Sequence, residues 1–190
     1  MKYKALVFAL ALFFLVGCGA TDINDSNVTS ETQATTETQA TQEEPYILTF
    51  EAPTIDGETM TSDIFASSKL TMINVWATYC NPCLNEMPDL GEIAHAYDPA
   101  DFQLIGIVSD VYDTSSEKEI NHAKDLIEET KADYPHLVLN ESLYMNLVGG
   151  IDSVPTTFFV KENGEVLGYV IGARDQESWV KLIDELLQNS

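Results

Sequence analysis

The run Trp76-Ala77-Thr78-Tyr79-Cys80-Asn81-Pro82-Cys83 stands where a short β-branched and aromatic stretch at residues 71–77 gives way to a helical pattern at residues 82–97. A strand feeding straight into a helix is a demanding junction, because the first amides of the helix find no partners inside it. A cysteine placed there has its thiolate stabilised by those free N–H groups and by the helix dipole. Two intervening residues put the second thiol one turn further in, close enough to form a disulfide with the first. Pro82 falls in the first helical turn, where its missing N–H costs nothing and its ring stiffens the backbone. Cys80 is therefore expected to be the exposed, attacking sulfur and Cys83 the more buried, resolving one.

Blander readings compete with a redox pair. A zinc site needs a second cysteine pair or well-spaced histidines. The remaining cysteine is Cys18, and His95, His122 and His136 are scattered over two helices and a strand edge. Each reads as a surface or rim histidine, so no metal is expected. An inert structural disulfide gains little chain entropy from so short a loop.

Charge narrows the partners. The chain carries 31 acidic and 9 basic side chains, a net charge of −22, and Arg174 is its sole arginine. Affinity for nucleic acid comes from clustered Lys and Arg, so that class is excluded. Residues 1–17 have the layout of a secretory signal, with Lys2 and Lys4 ahead of an apolar run at residues 5–16. In helical form that run spans roughly 18 Å, too short for a bilayer core of about 30 Å. It closes on Leu15-Val16-Gly17-Cys18, which resembles the lipobox of bacterial lipoproteins. That resemblance implies cleavage before Cys18, lipidation of its thiol and an extracytoplasmic, membrane-anchored product. The alternative is a free Cys18 after ordinary signal cleavage. Residues 18–44 are rich in Thr, Gln and acids, and Glu31-Thr32-Gln33-Ala34-Thr35 recurs as Glu37-Thr38-Gln39-Ala40-Thr41. Such a composition cannot offset its ordering entropy and is expected to be a disordered tether, with a reach of roughly 28 Å.

Folded sequence is expected over residues 45–190, with 7 basic and 25 acidic residues. Residues 46–50 and 58–61 flank Asp56-Gly57 and suggest a hairpin. Residues 71–77 and 103–108 read as strands, with an amphipathic helix at 82–97 between them and Pro88 placed to kink it. A helix at 117–131, a brief strand at 137–139 and a short helix at 142–147 follow. Strands at 156–160 and 166–171 are joined by Asn163-Gly164, and a helix at 176–187 ends the chain. The alternation predicts an α/β domain with a mixed sheet.

Trp76-Ala77-Thr78-Tyr79-Cys80-Asn81-Pro82-Cys83, with Glu86-Met87-Pro88 after it and Val154-Pro155-Thr156-Thr157-Phe158-Phe159-Val160 further on, resembles the membrane-tethered thiol–disulfide oxidoreductases of the TlpA/ResA type. The resemblance implies a thioredoxin fold: a mixed central sheet flanked by helices, with an added N-terminal β-hairpin and an inserted αβ segment within residues 112–145. By the same token Cys80 is the nucleophile, Cys83 the resolving thiol and Pro155 the loop proline that is cis in this fold, bringing Val154 beside the disulfide. Trp76, Tyr79, Asn81, Pro82 and Val154 become candidate substrate contacts. Cytoplasmic thioredoxins carry a buried Asp six residues before the first cysteine, and Asn74 occupies that place here. Glu86 reads either as a solvated helix carboxylate, since acids abound in this chain, or, on the same helix face as Cys83, as the residue that inherits the general-base role. Peroxidases of the same broad fold class have a Thr three and a Pro seven residues before their cysteine, where this chain has Ala77 and Ile73.

The resemblance further implies no cofactor beyond the redox-active disulfide, electrons from a membrane thiol-transfer protein of the DsbD/CcdA type, and disulfide-bearing protein substrates. Apocytochromes c and methionine sulfoxide reductases are among those the family suggests. Two other functions stay open from sequence: a disulfide-forming oxidase or isomerase, and a non-catalytic surface-binding lipoprotein on a thioredoxin scaffold.

Overall fold

The computed structural model describes residues 44–189. The expected leader, Cys18 and the tether up to residue 43 lie outside these residues. In chain order come β1 (Glu51–Pro53), β2 (Thr59–Thr61), a 3-10 turn (Ser62–Ser67), β3 (Leu70–Trp76), α1 (Asn81–Ala94), β4 (Phe102–Tyr112) and α2 (Glu117–Thr130). β5 (His136–Leu139), α3 (Glu141–Asn146), a second 3-10 turn (Val148–Gly150), β6 (Thr156–Lys161), β7 (Val166–Ile171) and α4 (Gln176–Gln188) follow. The main sheet has the order β5-β4-β3-β6-β7. β3 and β5 run parallel to β4, whereas β6 is antiparallel to both β3 and β7. The expected αβ insertion is α2 with β5, which adds the sheet's edge strand.

β3 is the central strand, and all seven of its residues are buried, the polar Thr71 and Asn74 among them, which is why it shows no alternation of apolar and polar positions. Its side chains alternate between two core layers. Leu70, Met72 and Trp76 join Met87, Leu90 and Ile93 of α1 with Trp179 and Ile183 of α4. Ile73 and Val75 join Phe50, Phe65, Leu143 and Phe158 on the opposite face. The α1 residues buried against the sheet include Cys83, Glu86, Met87, Leu90 and Ile93, a helical repeat that continues through Pro88. Side-chain caps begin the other long helices: Ser116 and Glu119 form a capping box on α2, and Asp175 accepts from the Ser178 amide on α4.

The hairpin needs a correction. Its first arm is Glu51–Pro53 rather than residues 46–50, paired with Thr59–Thr61. The Asp56-Gly57 turn closes tightly, with the Thr54 amide donating to the Glu58 carbonyl at 2.7 Å, so its nearest flanks pair. The preceding stretch instead crosses the β6–β7 turn: the Leu48 amide donates to Gly164 and the Val166 amide to Tyr46. Leu48 and Phe50 are buried there, so the alternation reported a covered face but not its partner. The Asn163-Gly164 turn is as expected, with Gly164 at φ 84°.

Candidate active site

β3 leaves the sheet at Trp76, turns, and delivers Cys80 as the N-cap of α1. Cys80 and Cys83 are disulfide-bonded. The Cys83 amide donates to Cys80 Sγ at 3.2 Å, so an unsatisfied helix N–H points at the outer sulfur. Cys80 keeps 6% of its surface exposed and Cys83 none, in the order the sequence suggests. The Val154–Pro155 peptide is cis, and the Val154 carbonyl oxygen lies 3.6 Å from Cys80 Sγ. The Gly172 amide donates to the Pro155 carbonyl at 2.8 Å, which holds the β7–α4 loop against the proline loop.

Around this pair Tyr79 is 75% exposed, Asn81 and Pro82 are exposed, and Val154 is half-buried. These four sit next to the pair in the chain or, for Val154, across from Cys80 Sγ, and each keeps surface open to solvent. Trp76 does not. It is wholly buried, so its side chain forms the floor beneath the site rather than a surface for substrate.

Glu86 is a buried carboxylate with three donors. Its Oε1 accepts from Asn74 Nδ2 at 3.1 Å, and its Oε2 from the Arg174 amide at 3.1 Å and Trp179 Nε1 at 3.3 Å. Four elements thus meet at one side chain on the Cys83 face of α1. Burial holds the carboxyl above its usual range, while the three donors pull it the other way. The solvated helix acid that its sequence context allows is not what the fold contains. The loop cation Arg174 lies 5.7 Å from the Trp179 ring centroid, beside the same cluster.

His136 is a further correction, being enclosed instead of at the rim. Its Nδ1 accepts from Trp76 Nε1 at 3.1 Å and its Nε2 faces the Ala132 carbonyl at 3.0 Å, which together require the neutral ring. Burial pushes its pKa down to about 4. Gly106 makes this position habitable, since a Cβ there would lie 2.1 Å from His136 Nδ1. Among the described residues no group of three or more His, Cys, Asp or Glu side chains is placed to hold a metal ion.

Sequence reasoning missed Ser109 and Asp110, which bind the backbone just ahead of Cys80. It also missed the bond from Trp179 to Glu86. Neither contact has a local sequence signal, because each joins residues more than thirty positions apart.

Comparison with known proteins decides the family. Residues 46–168 match the AhpC/TSA family. This chain belongs to it. Among AhpC/TSA relatives and neighbours, the thiol:disulfide interchange protein HelX of Rhodobacter capsulatus is 28% identical over 191 residues, covering 97% of this chain and 96% of HelX. The thioredoxin-like protein YneN of Bacillus subtilis is 27% identical over 135 residues, covering 71% and 75%. A thioredoxin-family thiol:disulfide interchange protein from Chlorobium tepidum superposes with a TM-score of 0.62 at 22% identity, covering 76% of this chain and 98% of its own. That likeness establishes the thioredoxin fold. Like HelX, this AhpC/TSA member is a thiol–disulfide oxidoreductase, and Cys80–Cys83 is its disulfide pair.

Proposed function

We propose that this oxidoreductase is a lipid-anchored, extracytoplasmic reductase of protein disulfides. The observation that carries the reading is the position of the pair: Cys80 at the open N-terminus of α1, with Cys83 sealed beneath it. In the reduced protein the Cys80 thiolate attacks one sulfur of a substrate disulfide, forming a mixed disulfide and releasing the other sulfur as a thiolate. Glu86 takes the Cys83 proton. Cys83 then attacks Cys80 Sγ, expelling the second substrate thiolate and leaving the Cys80–Cys83 disulfide. Two electrons pass to the substrate in each cycle.

The signal-like leader, the Cys18 lipobox and the acidic tether support anchoring outside the cytoplasm. There a membrane thiol-transfer protein of the DsbD/CcdA type is the fitting electron donor. Proteins with exposed disulfides are the substrate class, with apocytochromes c and methionine sulfoxide reductases as candidates. The equilibrium reduction potential of the pair, measured against a thiol buffer, tests the direction. A reductase is expected near or below thioredoxin's roughly −270 mV. A value near the roughly −120 mV of a strong oxidant would overturn the reductive assignment and favour disulfide formation.

A further inference from the structure

The β3–β4 ladder ends at the pair Trp76↔Val108. β4 continues, but its pairing with β5 jumps from Val108↔Val138 to Tyr112↔Leu139, leaving Ser109, Asp110 and Val111 outside that ladder. Continued in register, Ser109 would lie beside Ala77 and Asp110 beside Thr78. The β3 chain turns off at this point, and β4 follows it with side chains instead of backbone. Ser109 Oγ donates to the Trp76 carbonyl at 2.9 Å. Asp110 Oδ1 accepts the Thr78 amide at 2.9 Å, and Oδ2 accepts the Thr78 hydroxyl at 2.5 Å. The Cys80 amide then donates to the Ala77 carbonyl at 3.0 Å, closing a β-turn whose central residues are Thr78 and Tyr79.

We infer that Asp110 is a positioning residue, clamping through Thr78 the turn that carries the attacking sulfur; this rests on the reading of Cys80 as nucleophile. The amide of the second turn residue has no partner within the turn, and Asp110 supplies one with charge-assisted strength. A region with 25 acidic residues needs no further carboxylate for solubility. A carboxylate bonded to Thr78, two residues before Cys80, opposes a thiolate there if its charge reaches it at all, so the feature that Asp110 contributes is placement. Placement matters most in the reduced protein, where the disulfide no longer ties Cys80 to Cys83 and displacement of the attacking atom by about 1 Å is costly.

The test uses the full chain with Cys18→Ser and Cys83→Ser, in which Cys80 is the sole thiol. Stopped-flow exchange with the aromatic disulfide DTNB needs no physiological substrate. Asp110→Asn and Asp110→Ala both remove the charge, yet Asn still accepts the Thr78 amide and bonds its hydroxyl. The Asn variant is expected within about threefold of the parent and the Ala variant at least tenfold slower. Equal rates in the two variants overturn the inference. If Asp110→Ala does not fold, Thr78→Val against Thr78→Ser decides it, with slow exchange expected only for Val and equal rates contradicting the clamp. Insulin reduction by the unmodified chain is measured alongside. Failure there, with the DTNB pattern intact, strikes the proposed reductase function and leaves the role of Asp110 standing.

Discussion

At the scale of single residues, the proposed chemistry turns on a carboxylate kept from water. Glu86 is 3% exposed and satisfied by Asn74, Trp179 and the Arg174 amide. A buried acid with a raised pKa retains its proton to higher pH than a surface one. The release step, in which Cys83 must lose a proton, is therefore expected to slow as pH falls through that raised value. In Glu86→Gln the fold is expected to survive, because the Asn74 amide can reverse and present its unpaired Oδ1 to the new amide. Single-turnover release from a mixed disulfide is expected to drop roughly hundredfold in this variant, the lower end of general-base contributions, and to lose its acid limb. An unchanged rate and pH profile would remove Glu86 from the mechanism. The i, i+3 spacing to Cys83 makes the shared face legible in the sequence. The depth of burial is not legible, because Trp179 and the Arg174 amide arrive from the far end of the chain.

Among the elements, β4 and β5 support the site from below. His136 of β5 fills the space over Gly106 of β4 and holds Trp76 under the turn. Its folded pKa of about 4 lies below its ordinary 6.5, so between these values the unfolded chain binds the proton and stability falls as pH falls. The difference amounts to roughly 3 kcal/mol. His136→Phe cannot titrate and leaves Trp76 Nε1 without a partner, so it is expected to be less stable than the parent at pH 7. Urea unfolding should show that gap narrowing by about 3 kcal/mol by pH 4, and a constant gap would contradict the assignment. Helices and central strands are legible from periodicity and composition, since α1, α2 and α4 each bury one face and β3 is buried throughout and mostly apolar. Tyr46 to Phe50 and His136 are where that logic stops. Alternation says that Leu48 and Phe50 are covered but not by what, and a lone histidine carries no pattern at all.

For the whole molecule, the proposal joins a redox domain to a membrane through Cys18 and a tether. Removing the leader leaves 7 basic and 31 acidic residues, a net charge of −24, so the anionic face of a lipid bilayer does not attract the protein. The proposal therefore places the attachment in a lipid on Cys18. Cys18→Ala is expected to move the protein from the membrane fraction to the soluble fraction of cells while leaving insulin reduction by the purified protein unchanged. Retention of the variant on membranes would contradict lipid attachment at this residue. The same architecture assigns distinct duties to the two sulfurs at α1, and trapping reads these directly. Cys83→Ser and Cys80→Ser chains, each reduced and mixed with a protein disulfide, are resolved by mass spectrometry for mixed disulfides. The account predicts a stable adduct on Cys80 in the first variant and none on Cys83 in the second. An adduct on Cys83, or none on Cys80, would contradict it.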